Sequence, residues 1–179
     1  APYLPEAGWW RELQRREIPA KTEDAPLVLF QSSAVNRSGR EGFLVELAKH
    51  IKIDSYGRFM KNRSAKGPDL GPRTKLDTIS RYRFCLALEN SIAPDYVTEK
   101  MFEPLGAGAV PIYLGAPNAP DFVPAGSYID AAAHGTPAEL AAYLKSLLDR
   151  PDAYSAYLEW RRKPLPPSFL ERLREVETS

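Results

Sequence analysis

From Tyr82 to Gly115 the chain reads YRFCLALENSIAPDYVTEKMFEPLGAGAVPIYLG, and no other stretch restricts its fold as much. An apolar run, RFCLAL, ends in three consecutive polar residues, Glu89, Asn90 and Ser91. A loop containing Pro94 follows, then a helix start at Val97-Thr98-Glu99-Lys100, then a second apolar run over 109–114 closed by Gly115. Continuous apolar runs bounded by turn residues read as strands buried on both faces, and a helix between two of them reads as a parallel crossover. The small residues GAGA at 106–109 let the helix pack closely on the strand that follows. The polar residues then gather where a strand ends and a helix begins, the place where open parallel sheets bind ligands.

The rest of the chain repeats the pattern. Residues 27–30 (LVLF) form a short buried strand. A turn-rich loop, QSSAVNRSGREG, leads into a helix over 40–50, where Phe43, Leu44, Leu47, Ala48 and Ile51 recur at helical spacing and Ser38 is the expected N-cap. Residues 51–53 give a second strand, running into a turn at Asp54-Ser55-Tyr56-Gly57. Residues 58–73 are basic and lack periodicity, a loop that can act as a flap. A short helix over 74–81 turns Leu76 and Ile79 inward. After Gly115, Pro117, Pro120 and Pro124 exclude regular structure, and 127–130 make a last short strand. Helices follow over 137–148 (N-cap Thr136, apolar face Leu140, Tyr143, Leu144, Leu147, Leu148), over 151–161 with Tyr154, Tyr157 and Leu158 inward, and over 169–176 with Ser168 as cap. Strands alternating with helices predict an α/β, Rossmann-like domain with a mostly parallel sheet. Its span is 27–163. Residues 1–26 read as a connector or arm, anchored by a short amphipathic helix carrying Trp9, Trp10 and Leu13. Residues 164–179 read as a C-terminal helix that packs back or crosses to another domain.

Composition narrows the function. A net charge of +1 argues against general binding to nucleic acid or membrane surfaces, and no stretch approaches the roughly 20 apolar residues of a membrane span. The 17 prolines, about twice the usual share, cluster in the arms. The single cysteine, Cys85, lies in an apolar run and reads as a core residue. There is no P-loop, no GxGxxG, no CxxC and no DxD pair, so no motif calls for a divalent metal or a cofactor. His50 and His134 fit no ligand spacing and read as surface or structural residues.

The chemistry concentrates at the helix start after Thr98. Thr98 can cap it, and Glu99 suits its positive end. Lys100 opposes the dipole there unless an anion is present. A cation, free amides and a carboxylate at one helix terminus suit a nucleotide: the first two meet phosphates, and the carboxylate accepts from ribose hydroxyls. Glu89 and Asn90 stand across the same crevice. Glu89 and Glu99 together also suit acid/base catalysis, the weaker reading because a carboxylate beside a lysine is held ionised. The loop of the preceding unit supplies Asn36, Arg37 and Arg40, whose charges are either solvated or part of the same anion site. Those cations have the wrong sign for a receiver-type signalling domain, which needs an acidic pocket at its strand ends.

ENSIAPDYVTEK, preceded by SRYRFCLAL and followed by GAVPIYLGAPNAPDFVP, resembles the signature of the α1,3/4-fucosyltransferases without a gap across 82–124, and NRSGREGFLVELAKHIKIDSYGR resembles their upstream segment. Leu88 departs mildly, standing where that family usually has phenylalanine. The resemblance runs from about residue 27 to the C-terminus and implies the C-terminal, donor-binding half of a GT-B enzyme that transfers fucose from GDP-fucose with inversion. By position, Glu99 matches the glutamate that binds the nucleotide ribose. Lys100 and Arg40 match the cations facing the diphosphate, with Arg37 as the fallback for Arg40. Tyr96 and Asn90 match further donor contacts.

The resemblance also implies that the general base and most of the acceptor site lie in an N-terminal domain, so no catalytic residue is expected in this chain. The partners implied are GDP-fucose, a GlcNAc-containing glycan acceptor for α1,3 transfer, and that N-terminal acceptor-binding domain. The alternative is a non-catalytic nucleotide-sugar-binding module. A lone cysteine and no anchor lead to the expectation of a bacterial, cytoplasmic protein, or of a Golgi lumen form whose anchor and first domain were removed.

Overall fold

The computed structural model describes residues 4–178. Its centre is a five-stranded sheet in the order β2-β1-β3-β4-β5, with β1 (Leu27–Leu29), β2 (Ile53–Ser55), β3 (Phe84–Leu88), β4 (Val110–Leu114) and β5 (Ile129–Asp130). Every pairing is parallel, and the longest runs in register from Phe84 opposite Val110 to Leu88 opposite Leu114. Helices cover both faces, which is why β1, β3 and β4 are almost entirely apolar, while the edge strand β2 buries Asp54 and Ser55, Asp54 accepting from the Tyr82 hydroxyl at 2.7 Å.

Alternation along β3 divides the core. Phe84, Leu86 and Leu88 face the layer made by α2 (Arg40–Ala48) and α5 (Pro137–Leu148), against Leu44, Leu47, Leu140, Leu144 and Leu147. Ala87 faces the opposite layer, where α4 (Glu99–Ala107) packs Met101, Phe102 and Leu105. Cys85, on the same side as Ala87, joins Ile79 of α3 (Pro72–Ser80). Burying each such leucine or phenylalanine is worth about 1.5–3 kcal/mol, so the core amply defines the sheet's two sides. Cys85 is buried, and burial pushes its thiol up to about 12, which makes it an inert core residue.

The N-terminal segment forms α1 (Ala7–Arg15), with Trp10 and Leu13 fully buried. Trp10 meets Phe102, Trp160 and Phe169 edge-on at 6.0, 5.8 and 5.2 Å. Phe169 belongs to α7 (Pro167–Glu177), so the two ends of the chain close over α4 together.

Several local expectations shift. The second strand is 53–55 rather than 51–53, because the Ile51 amide still donates to Leu47 and finishes the turn of α2. Gly39, in the left-handed region at φ 74°, is the N-cap of α2 instead of Ser38, and Asn36 Oδ1 accepts from the Glu41 amide. Ser38 reaches across instead: its amide and hydroxyl donate to the carbonyls of Asn90 and Glu89. The third helix starts at Pro72 and leaves Leu76 exposed, while Thr78, Ile79 and Ser80 face inward. The helix expected over 151–161 splits into α6 (Pro151–Ser155) and a 3₁₀ segment, Ala156–Arg162. Ser168 lies inside the first turn of α7, whose N-cap is Pro166. Thr136 does cap α5, in a reciprocal box with Glu139.

Candidate donor-nucleotide site

The carboxyl ends of β1 and β3 and the amino end of α4 meet at one edge of the sheet. Thr98 is the N-cap of α4, and its hydroxyl accepts from the Lys100 amide at 3.3 Å. Behind it sits Glu89, fully buried, accepting from the Thr98 amide at 2.9 Å and from the Thr98 hydroxyl at 2.8 Å. Tyr113 of β4 adds a longer hydroxyl contact at 3.4 Å to the same carboxylate and accepts from the Ala116 amide. Burial raises the Glu89 carboxyl above its ordinary value, while the Thr98 bonds and the charge of Lys100 oppose the rise. Glu89 is therefore a brace that fixes where α4 begins. Its carboxylate is committed to Thr98 and Tyr113 and shut off from solvent, so the geometry lends no support to Glu89 and Glu99 as an acid and base pair.

Gly115 shows how tightly this corner is built. A Cβ there would lie 2.5 Å from both Glu89 Cγ and Tyr113 Oη. The loop between β3 and α4 is held from the other side. Asp95, in the left-handed region at φ 63°, exchanges two hydrogen bonds of 2.8 Å with Asn118.

In front of the brace, Glu99 and Lys100 occupy the first turn of α4 and form an ion pair at 3.2 Å. Partial burial pushes the Glu99 carboxyl up, but Lys100, its own backbone amide and Lys75 outweigh burial and hold it below the ordinary range. Glu99 thus stays an ionised acceptor near neutral pH. Arg40, at the first position of α2, is 1% exposed. Its Nη1 donates to the Leu88 carbonyl at 3.0 Å, and its Nη2 to those of Ser33 and Val35 at 3.2 and 2.9 Å. The guanidinium pins the 33–35 loop to the end of β3 and places a positive charge beside α4. Burial lowers its pKa, with Glu41 and Glu89 acting against the shift. Arg40 and Lys100 line one recess.

Asn90, half-buried at the end of β3, has an Oδ1 with no partner. Tyr96 is half-buried, and its carbonyl accepts from the Tyr113 hydroxyl at 3.3 Å. Arg37 is exposed at the outer side of the 36–39 turn. The fold therefore gathers Glu99, Lys100 and Arg40, keeps Asn90 and Tyr96 on the adjoining loop, and leaves Arg37 facing solvent. Sequence reasoning did not single out Gln31 and Lys75, which line the same recess. Among the described residues no cluster of three or more His, Cys, Asp or Glu is placed to hold a metal, and no helix is long and apolar enough to cross a membrane.

Residues 18–176 match the family model described as Glycosyltransferase family 10 (fucosyltransferase) C-term. The chain belongs to this fucosyltransferase family. Among curated relatives, the GDP-fucose protein O-fucosyltransferase 3 of Gallus gallus is 40% identical over 145 residues, covering 78% of this chain and 30% of the relative. The Homo sapiens protein of that name is 37% identical over 146 residues, with the same coverage of 78% and 30%. The chain thus spans about a third of the length of the curated relatives it matches. Solved structures of an α1,3-fucosyltransferase with GDP and with GDP-fucose superpose with TM-scores of 0.68 and 0.66 at 20% and 19% identity. Each alignment covers 93% of this chain, against 47% and 48% of the solved ones. The family member described here has the α/β, Rossmann-like fold expected for one half of a GT-B fucosyltransferase.

Proposed function

We propose that this chain grips the GDP moiety of GDP-fucose at the start of α4, as the donor-binding half of an inverting fucosyltransferase. The observation that carries the reading is the lysine in the first turn of α4, beside a buried arginine. Both charges oppose their own helix dipoles, and an anion at that place would relieve both. Lys100 and Arg40 face the diphosphate, and Glu99, held ionised, accepts from the ribose hydroxyls. Asn90 and Tyr96 border the sugar nucleotide, with Arg37 in reserve at the rim. As the fucosyl–oxygen bond breaks, negative charge grows on the departing GDP, and a helix terminus with two fixed cations stabilises it without reorganisation.

The proton of the acceptor hydroxyl goes to a base supplied by an acceptor-binding domain, so these 179 residues alone bind donor and transfer little or no fucose. Family membership favours this over a non-catalytic nucleotide-sugar module. Two acceptor readings follow from the neighbours. The solved structures are named for α1,3 transfer, in keeping with a GlcNAc-containing glycan. The curated relatives, at higher identity, are named for protein O-fucosylation, which favours a protein acceptor. Those curated relatives are vertebrate proteins and lend no support to a bacterial, cytoplasmic setting.

Titration calorimetry with GDP tests the donor site. Lys100→Ala should weaken binding by on the order of 1.5–3 kcal/mol, the worth of a hydrogen bond to a charged group. An unchanged affinity would mean that the diphosphate lies elsewhere. Robust fucose transfer by the isolated chain would refute the need for a second domain.

A further inference from the structure

Gln31 lies two residues beyond the end of β1, and it is 4% exposed. Neither its Nε2 nor its Oε1 has a hydrogen-bond partner. An amide buried without partners loses its hydration for nothing, and such groups are rare in folded proteins unless a ligand or water completes them. Gln31 lines the recess that also holds Arg40, Lys75 and Lys100. A second orphan lies in the same lining: Arg40 Nε–H has no acceptor, although the rest of the guanidinium is spent on backbone carbonyls. Lys75 pairs with Glu103 at 2.6 Å and Lys100 with Glu99 at 3.2 Å, whereas the Arg40 guanidinium donates to backbone carbonyls. The recess is partly open and leaves about 20 Å³, room for roughly one water-sized group.

We propose that Gln31 is a donor-binding residue: one phosphoryl oxygen of the diphosphate enters this recess and accepts hydrogen bonds from Gln31 Nε2 and Arg40 Nε. This rests on the reading of the α4 start as the donor site. The free Gln31 Oε1 is then an acceptor for a ligand hydroxyl or a neighbouring ammonium. The backbone that launches the side chain is fixed for this task. The Gln31 carbonyl accepts from the Phe59 amide at 3.0 Å. Gly57 packs so closely that a Cβ would fall 2.3 Å from Gln31 O and 2.4 Å from Gln31 N.

The test compares calorimetric titrations of GDP and of guanosine against the wild-type chain, Gln31→Met and Lys100→Ala, with urea unfolding of each. Methionine keeps the length of glutamine and removes the unpaired amide. The expected result is that Gln31→Met unfolds at the same urea concentration or a higher one, weakens GDP at least tenfold, and leaves guanosine unchanged. Gln31→Leu repeats the measurement should the methionine variant not fold. Unchanged GDP binding in Gln31→Met, with Lys100→Ala weakened, overturns the role of Gln31 and leaves the donor site standing. Unchanged GDP binding in both variants overturns the donor site itself. Equal losses for GDP and guanosine overturn the phosphate assignment. A less stable Gln31→Met with unchanged GDP binding assigns the amide to a buried water and also overturns the proposal.

Discussion

Replacing Thr98 by valine keeps the shape of the N-cap of α4 and removes only its hydroxyl. That hydroxyl accepts from the Lys100 amide and donates to a carboxylate with no solvent exposure. A lost N-cap costs about 1 kcal/mol. A lost bond to a buried charged group costs about 1.5–3 kcal/mol. Because both act through one side chain they are not fully additive, and about 3 kcal/mol is expected at neutral pH. For a chain of this size that lowers Tm by about 6–12 °C.

The pH dependence separates this account from a generic packing loss. Burial already raises the Glu89 carboxyl, and the Thr98 bonds oppose it, so removing the hydroxyl raises it further. A carboxyl raised in the folded state binds its proton more tightly there than in the unfolded chain. Stability therefore falls as pH climbs from the unfolded value, about 4.3, through the folded one. The penalty of Thr98→Val should be larger at pH 7.5 than at pH 4.5, and Thr98→Ser should recover most of it. Urea unfolding at the two pH values measures this. A loss under about 1 kcal/mol at pH 7.5, a loss equal at both pH values, or a serine variant as weak as the valine one would refute the brace.

Other parts of the fold give further expectations. Gly115→Ala forces Glu89 and Tyr113 apart, since the new Cβ would sit 2.5 Å from each, and should cost about 1–3 kcal/mol in urea unfolding. Trp10→Ala removes the ring to which Phe102, Trp160 and Phe169 converge and should cost about 3–5 kcal/mol. Limited proteolysis should then cut near α1 and α7 first, with the sheet still protected. Lys21 donates to the carbonyls of Ser80 and Gly108, and burial, then Arg161 and Arg83, lower its pKa to about 8 from 10.5. A lysine depressed in the folded state gives up its proton earlier there than in the unfolded chain, so stability is gained as pH rises across that window. The stability of wild type relative to Lys21→Met should grow by at most about 3 kcal/mol between pH 8 and 10.5. A flat difference would show that Lys21 keeps its proton.

Most of the sheet was readable in the sequence because burial on both faces leaves β1, β3 and β4 as short runs with no polar interruption. RFCLAL and AVPIYL needed no partner to be recognised. Boundaries were less readable where two rules competed. Ile51 and Ile53 have strand-forming side chains, yet Ile51 completes a helical turn and only Ile53 finds a partner, Leu27. Ser38 is a good N-cap by residue type, but the left-handed turn at Gly39 moves the helix start, and the serine bonds to Glu89 and Asn90, just beyond β3, instead. Leu76 sits at helical spacing from Ile79, but α3 turns Thr78, Ile79 and Ser80 inward and leaves Leu76 exposed.

The site divides along the same line. Thr98, Glu99 and Lys100 are adjacent in sequence, so a helix start and a charge that disagrees with its dipole betray them without any structure. Glu89 also lies in that stretch, but its work as a brace depends on a hydroxyl nine residues away and on a glycine in β4's exit that admits its Cγ. Arg40 was found as a charge, while its three backbone bonds follow from a loop path that no spacing encodes. Gln31 left no mark at all: one amide in a turn-rich loop, ordinary by every local rule. Its significance comes only from what the fold fails to give it. A polar group that is buried, unpaired and set beside cations is informative here because a second unpaired donor, Arg40 Nε, lines the same recess. Sequence patterns report the interactions a chain makes with itself, and a ligand-binding residue is one that leaves an interaction unmade.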